Sequence, residues 1–180
     1  MKKKTQSELR IERLCRLSRF SPWIVRWKAK RILDTCREAK GLKKYSRGDE
    51  PKIISRFKGR IREKYSKSYI QKINQKTGSL DYMIIDIICT EWSEKIIDKV
   101  FAKMREFDEE ADDYTYILTE YYLSGEKRED VDIQIEMDLT HSKYYRLKNQ
   151  AILLFGIMLW HTILEECVYN TASGEAVAFG

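Results

Sequence analysis

The stretch DLTHSKYYRLKNQAILLF, Asp138 to Phe155, decides how this chain is read. It opens polar and basic and closes apolar. Thr140 is a candidate N-cap, because its hydroxyl can accept from a backbone N–H two or three residues on. Tyr144, Leu147, Ala151, Leu154 and Phe155 recur at helical spacing and form an inward face. His141, Ser142, Lys143, Tyr145, Arg146, Lys148 and Asn149 are left to point elsewhere. Such a helix offers its first half to a partner and its second half to a protein core.

Just upstream, VDIQIEMDL (Val131 to Leu139) alternates apolar and polar residues, which alone reads as a strand. Glu129, Val131, Ile133, Gln134 and Met137 also allow a short amphipathic helix, and the pattern leaves both open. Read as a helix, it joins a tight turn at Asp138–Leu139 and the capped helix to make a helix-turn-helix. In that motif the first residues of the second helix meet base edges in the major groove. Arg and Lys suit guanine O6/N7, and Asn149 suits adenine. Lys148, Thr140 and the helix N-terminus would contact phosphate. A surface helix of a plain bundle would carry the same face.

Working outward, DYTYILTEYYL (Asp113 to Leu123) reads as a helix with Tyr114, Ile117, Leu118, Tyr121 and Tyr122 on one side. SGEKRED is a polar turn. DEEADD, Asp108 to Asp113, raises the possibility of a metal-dependent nuclease, but acidic residues before a helix complement its N-terminus, and no histidine accompanies them. Ser79 caps an expected helix through Phe107, apolar over a wide arc that calls for burial on two sides or a dimer surface. The longest apolar run, AILLFGIMLW (Ala151 to Trp160), falls short of the ~18 residues of a membrane span and reads as a buried helix end.

The chain of 180 residues carries a net charge of +6, distributed unevenly. Residues 1–76 hold 25 Lys and Arg against 7 Asp and Glu, a charge of +18, and residues 77–180 hold 9 against 21, a charge of −12. A basic head on an acidic body suggests a polyanion partner for the head. In the head, Leu14, Leu17 and Phe20 read as one apolar stripe. Ser21 and Pro22 start a second helix that should stop near Gly41. Gly48 to Pro51 reads as a loop, Ile54, Phe57, Ile61, Tyr65 and Tyr69 as a further helical stripe, and KTGSLD as a linker. Aromatics among bases can stack on nucleic acid, although a shared stripe reads more simply as core. Only two prolines and eight glycines, with abundant Lys and Glu, favour helices throughout.

Cys15, Cys36, Cys89 and Cys167 are scattered and read as reduced structural thiols. With only His141 and His161 to join them, they make no zinc pattern. The opening MKKKTQSELR leads into no apolar stretch, and the expected compartment is the cytoplasm.

The segment from Tyr114 to Trp160 resembles the C-terminal half of the ArpU-type phage transcriptional regulators, a family related to the RinA-type activators and similar to region 4 of sigma factors. Tyr116 to Leu123 supplies the family's first element, and Ile133 and Met137 its second. Thr140, Tyr144, Tyr145, Arg146, Lys148, Ala151, Ile152, Phe155 and Gly156 supply the third. Thr140 stands where the family has serine, Met137 where it has leucine, and Asp138 where it commonly has glycine in the turn. The resemblance favours the helical reading of VDIQIEMDL. It implies a sequence-specific DNA-binding activator of late phage or phage-like genes in a bacterial host cell, with no enzymatic activity and no cofactor. Double-stranded DNA is the implied partner, RNA polymerase and a second copy of the chain are further candidates, and no membrane is involved.

The expectation is therefore an all-α chain. A basic helical region at 1–76, a possible second nucleic-acid contact, precedes a helical domain at 79–168 with a sigma region 4-like helix-turn-helix at about 129–160, then a flexible tail at 169–180. DNA-binding residues are expected at Thr140, His141, Ser142, Lys143, Tyr145, Arg146, Lys148 and Asn149. Two alternatives stand beside this: a small terminase-like packaging subunit, and a sigma-like module that touches RNA polymerase.

Overall fold

The structure, a computed structural model, describes residues 4–45, 92–124, 126 and 128–172, with side chains described at 4–38, 95–124, 126 and 128–165. The expected loop at 48–51, the stripe from Ile54 to Tyr69, the linker, the Ser79 cap and residues 173–180 lie outside the described residues. Among the described residues there are six helices and no strand. They are α1 (Gln6–Leu17), α2 (Pro22–Tyr45), α3 (Trp92–Phe107), α4 (Ala111–Leu118), α5 (Asp130–Glu136) and α6 (His141–Ala172). The chain is all-α, and VDIQIEMDL contributes a helix despite its alternation.

α6 is the axis of the fold, with α1, α2, α3 and α4 packed around it. Its first three turns are two-sided: Tyr144, Leu147 and Ala151 are buried while His141, Ser142 and Lys143 are exposed. From Ala151 to Leu159 every residue is buried. A helix apolar all round has to be covered all round, and the neighbours cover it. The stretch from His141 to Glu165 is long and apolar enough to cross a membrane by length and composition, yet 78% of its apolar window is buried inside the fold. The run Ala151–Trp160 is thus the middle of a helix rather than its end. The helix passes Trp160 and enters the expected tail as far as Ala172.

α1 and α2 belong to this core. Ile11, Cys15, Ala29, Ile32, Leu33 and Cys36 share one apolar cluster with α3, α4 and α6. The expected boundary between 76 and 79 lies outside the described residues, but helices from both sides of it complete one another's burial. Gly156 marks the closest approach of α2 and α6: a Cβ there would lie 2.8 Å from both Ala29 Cβ and Val25 Cγ1. α2 continues past Gly41 to Tyr45.

Two turns are closed by the same device. After α1, Arg19 N–H bonds Arg16 O and Phe20 N–H bonds Cys15 O; after α5, Asp138 N–H bonds Ile135 O and Leu139 N–H bonds Gln134 O. Both are Schellman motifs, and each holds one residue in the left-handed region. Here those residues are Arg19 (φ 55°) and Asp138 (φ 50°), not glycines. The first turn redirects the chain so that the Phe20 ring meets Trp160 edge-on at 5.6 Å. It also leaves Leu17 exposed, where a stripe shared with Leu14 and Phe20 is expected; Ile11 and Cys15 do the burying instead.

Candidate nucleic-acid interface

The site expected from the sequence is the N-terminal part of α6 and the turn before it. Thr140 caps the helix as expected: its Oγ1 accepts from Lys143 N–H at 3.4 Å. His141, Ser142, Lys143, Tyr145 and Asn149 are exposed. The His141 and Tyr145 rings lie 4.5 Å apart between centroids, one helical turn from each other. The Asn149 side-chain amide donates to Tyr145 O at 2.8 Å. These are the exposed residues of the first three turns of α6, whose remaining residues are buried or half-buried.

Arg146 is half-buried and Lys148 is buried, and both are engaged by partners within the fold. The Arg146 guanidinium donates to Glu110 through Nη2 to Oε1 at 2.9 Å and Nη1 to Oε2 at 3.2 Å. Its Nη1 also reaches Gln150 Oε1 at 2.9 Å and the Thr5 hydroxyl at 3.4 Å. A fork-on-carboxylate pair of this kind is geometrically specific. It ties the start of α1, the loop before α4 and the first half of α6 together. The Arg146 hydrogen bonds hold the Glu110 carboxyl below the usual glutamate range, against the opposing effect of burial.

Lys148 is buried. Its ammonium pairs with Asp130, and it sits 3.1 Å above the centroid of the Tyr121 ring. The Arg37 guanidinium lies over the same ring at 4.0 Å. Burial pulls the Lys148 ammonium below the usual lysine range, with the Asp130 bond opposing. Asp130 also accepts from the Tyr144 hydroxyl at 2.7 Å and from Tyr145 at 3.3 Å. Asp130 is the first residue of α5, so three donors on α6 fix the short helix to the long one. Arg128 adds bonds to Glu120 and Glu136, and the Tyr116 hydroxyl donates to Glu136 at 2.5 Å. A seven-residue helix is far too short to persist alone, and this polar network holds it.

Asp108 and Glu110, just before α4, are likewise engaged within the fold. Asp108 is buried and accepts from Glu110 N–H at 3.0 Å, and Glu110 takes both Arg146 and the Tyr114 hydroxyl. Among the described residues no three of His, Cys, Asp and Glu come together as a metal site. Cys15 and Cys36 are buried thiols.

The exposed face of α5 carries Val131 and Ile135, one helical turn apart, beside Asp132 and Glu136. α5 therefore presents acidic and apolar groups where the first helix of a DNA-bound helix-turn-helix would cross phosphates. Compared with known proteins, the chain matches no family model, no curated protein and no solved structure.

Proposed function

We propose that the chain is a sequence-specific, double-stranded-DNA-binding transcription regulator, an activator of late phage or phage-like genes, acting in the host cytoplasm. The observation that carries this reading is the surface at the start of α6. His141, Ser142, Lys143, Tyr145 and Asn149 project from one rigid helix, preceded by a capped turn and a shorter helix. The resemblance of Tyr114–Trp160 to the ArpU-type regulators supports the same reading.

Each group has a role. Lys143 suits guanine O6/N7, and Ser142 and Asn149 offer both donors and acceptors to base edges. The Tyr145 and His141 rings add flat surfaces for contact with thymine methyls and sugars. The backbone N–H groups of the first turn and the helix dipole favour a phosphate there. The charge of +18 on residues 1–76 supplies a general attraction to the duplex.

The test is a binding-site selection from random duplex DNA with the full chain, near physiological ionic strength of ~0.15 M. The full chain is needed because α1 and α2 complete the core. A recovered motif, lost in the variant Ser142→Ala with Lys143→Ala, is the expected result. Tight binding to any duplex with no motif would overturn sequence-specific regulation.

A further inference from the structure

Two exposed apolar surfaces of opposite charge sit far apart on the molecule. The first is the outer face of α5, where Val131 is 61% and Ile135 is 71% exposed. Asp132 and Asp138 flank them and are themselves exposed. The second is the corner between α1 and α2, where Leu17 is 74%, Trp23 67% and Ile24 45% exposed. Arg13, Arg16 and Arg19 lead into that corner and are exposed.

The corner also holds a groove. Phe20, Ile24, Val25, Ile32, Leu159 and Trp160 line an almost wholly apolar cavity of about 100 Å³. Lys28 stands at it with its ammonium 5.5 Å from the Trp160 ring centroid. Apolar cavities of roughly 150 Å³ take up benzene-sized groups, so this one suits a branched aliphatic side chain. Val131 and Ile135 are branched aliphatic side chains standing clear of their own fold.

The two surfaces cannot meet within one molecule. α5 is anchored at Tyr144 and the corner at Trp160, sixteen residues along the same helix. That separates them by about 24 Å at 1.5 Å per residue. Neither surface suits DNA: carboxylates repel phosphate at α5, and phosphates would leave Leu17, Trp23 and Ile24 uncovered at the corner.

We infer that the chain associates with a second copy of itself head to tail, the α5 face of one copy seating Val131 and Ile135 against the α2–α6 groove at the α1–α2 corner of the next. The acidic rim of one copy then faces the arginine-bearing rim of the other. Such an interface is heterologous: each copy keeps one unused surface of each kind, so growth continues past the dimer unless a ring closes. The inference stands apart from the DNA-binding reading and is tested without DNA.

The test is sedimentation velocity on the full chain over a concentration series. The expected result is an average mass that rises with concentration beyond the dimer and falls with added salt, as charged rims are screened. Ile135→Arg and Ile24→Glu alter exposed side chains outside the core cluster, the second at the wall of the groove, so each variant should fold and each alone should remain monomeric. An equimolar mixture of the two should form a dimer and nothing larger, because one intact α5 face meets one intact groove. A monomeric wild type at all concentrations would overturn the inference. So would association that survives both variants, or variants whose mixture stays monomeric, which indicates a symmetric contact or another surface. Association only in the presence of DNA would also overturn it and leave the corner to a different partner.

Discussion

Arg146 and Glu110 face each other through two parallel hydrogen bonds, Nη2 to Oε1 at 2.9 Å and Nη1 to Oε2 at 3.2 Å. The pair is about three-quarters removed from solvent, with side-chain exposures of 23% and 29%. It makes Arg146 a structural residue. Arg146→Ala leaves a largely covered carboxylate with hydroxyl donors alone, Tyr114 and Ser7. It should lower unfolding stability by about 1–2 kcal/mol, read as a lower urea midpoint at unchanged slope. The folded variant should retain the DNA preference of the wild type in the selection described above.

Glu110 should make the fold sensitive to acid. Its native carboxyl titrates below the ordinary glutamate range because Arg146 donates to it. A carboxyl depressed on folding contributes stability that is present above its unfolded value, about 4.3, and lost as pH falls through the lower native value. A urea midpoint series across that range should fall steeply for the wild type. It should fall less for Glu110→Gln, which has no proton to take up.

Tyr122 carries a buried hydroxyl with no hydrogen-bond partner. Burial pushes its ionisation well above the usual tyrosine range, and Asp34 pushes the same way. Tyr122→Phe keeps the ring and removes the unmatched group. The midpoint of thermal unfolding should rise, by a free energy of up to about 1 kcal/mol.

Asp138 occupies the left-handed region at φ 50° in the turn before α6. Aspartate tolerates that conformation and a β-branched residue does not. Asp138→Gly should be neutral or mildly stabilising, while Asp138→Val should cost about 1–2 kcal/mol. Chemical denaturation of the two variants side by side checks this.

The two misplaced residues of α6 teach different lessons. At about 100° per residue, Lys148 lies about 40° around the helix from Tyr144, at the edge of the arc that Tyr144, Leu147, Ala151 and Phe155 define. Its burial was legible on the helical wheel, and its charge diverted the reading outward. Arg146 lies about 200° from Tyr144, on the side a wheel assigns to solvent. Its partner is Glu110, 36 residues away, and local spacing carries no trace of that. Leu17 errs for a third reason: successive steps of three residues drift about 60° each, so Leu14, Leu17 and Phe20 do not keep one face. The inward face of α6 and the Thr140 cap were readable because each rests on local period or local chemistry, whereas the helix at α5 runs against its own alternation. The common core of α1, α2 and α6 was not readable, since the contrast of charge between the two halves hides apolar positions that match.

We propose that the exposed turn of α6 touches DNA while Arg146 and Lys148 hold the fold. The most direct measurement is a fluorescence-anisotropy titration of a selected duplex with wild type and Lys143→Ala, alongside their melting curves. Unchanged melting and an affinity loss of about 1–3 kcal/mol, roughly 5- to 140-fold, are expected. Equal affinity for the two proteins would contradict the proposal and remove the start of α6 from the DNA interface.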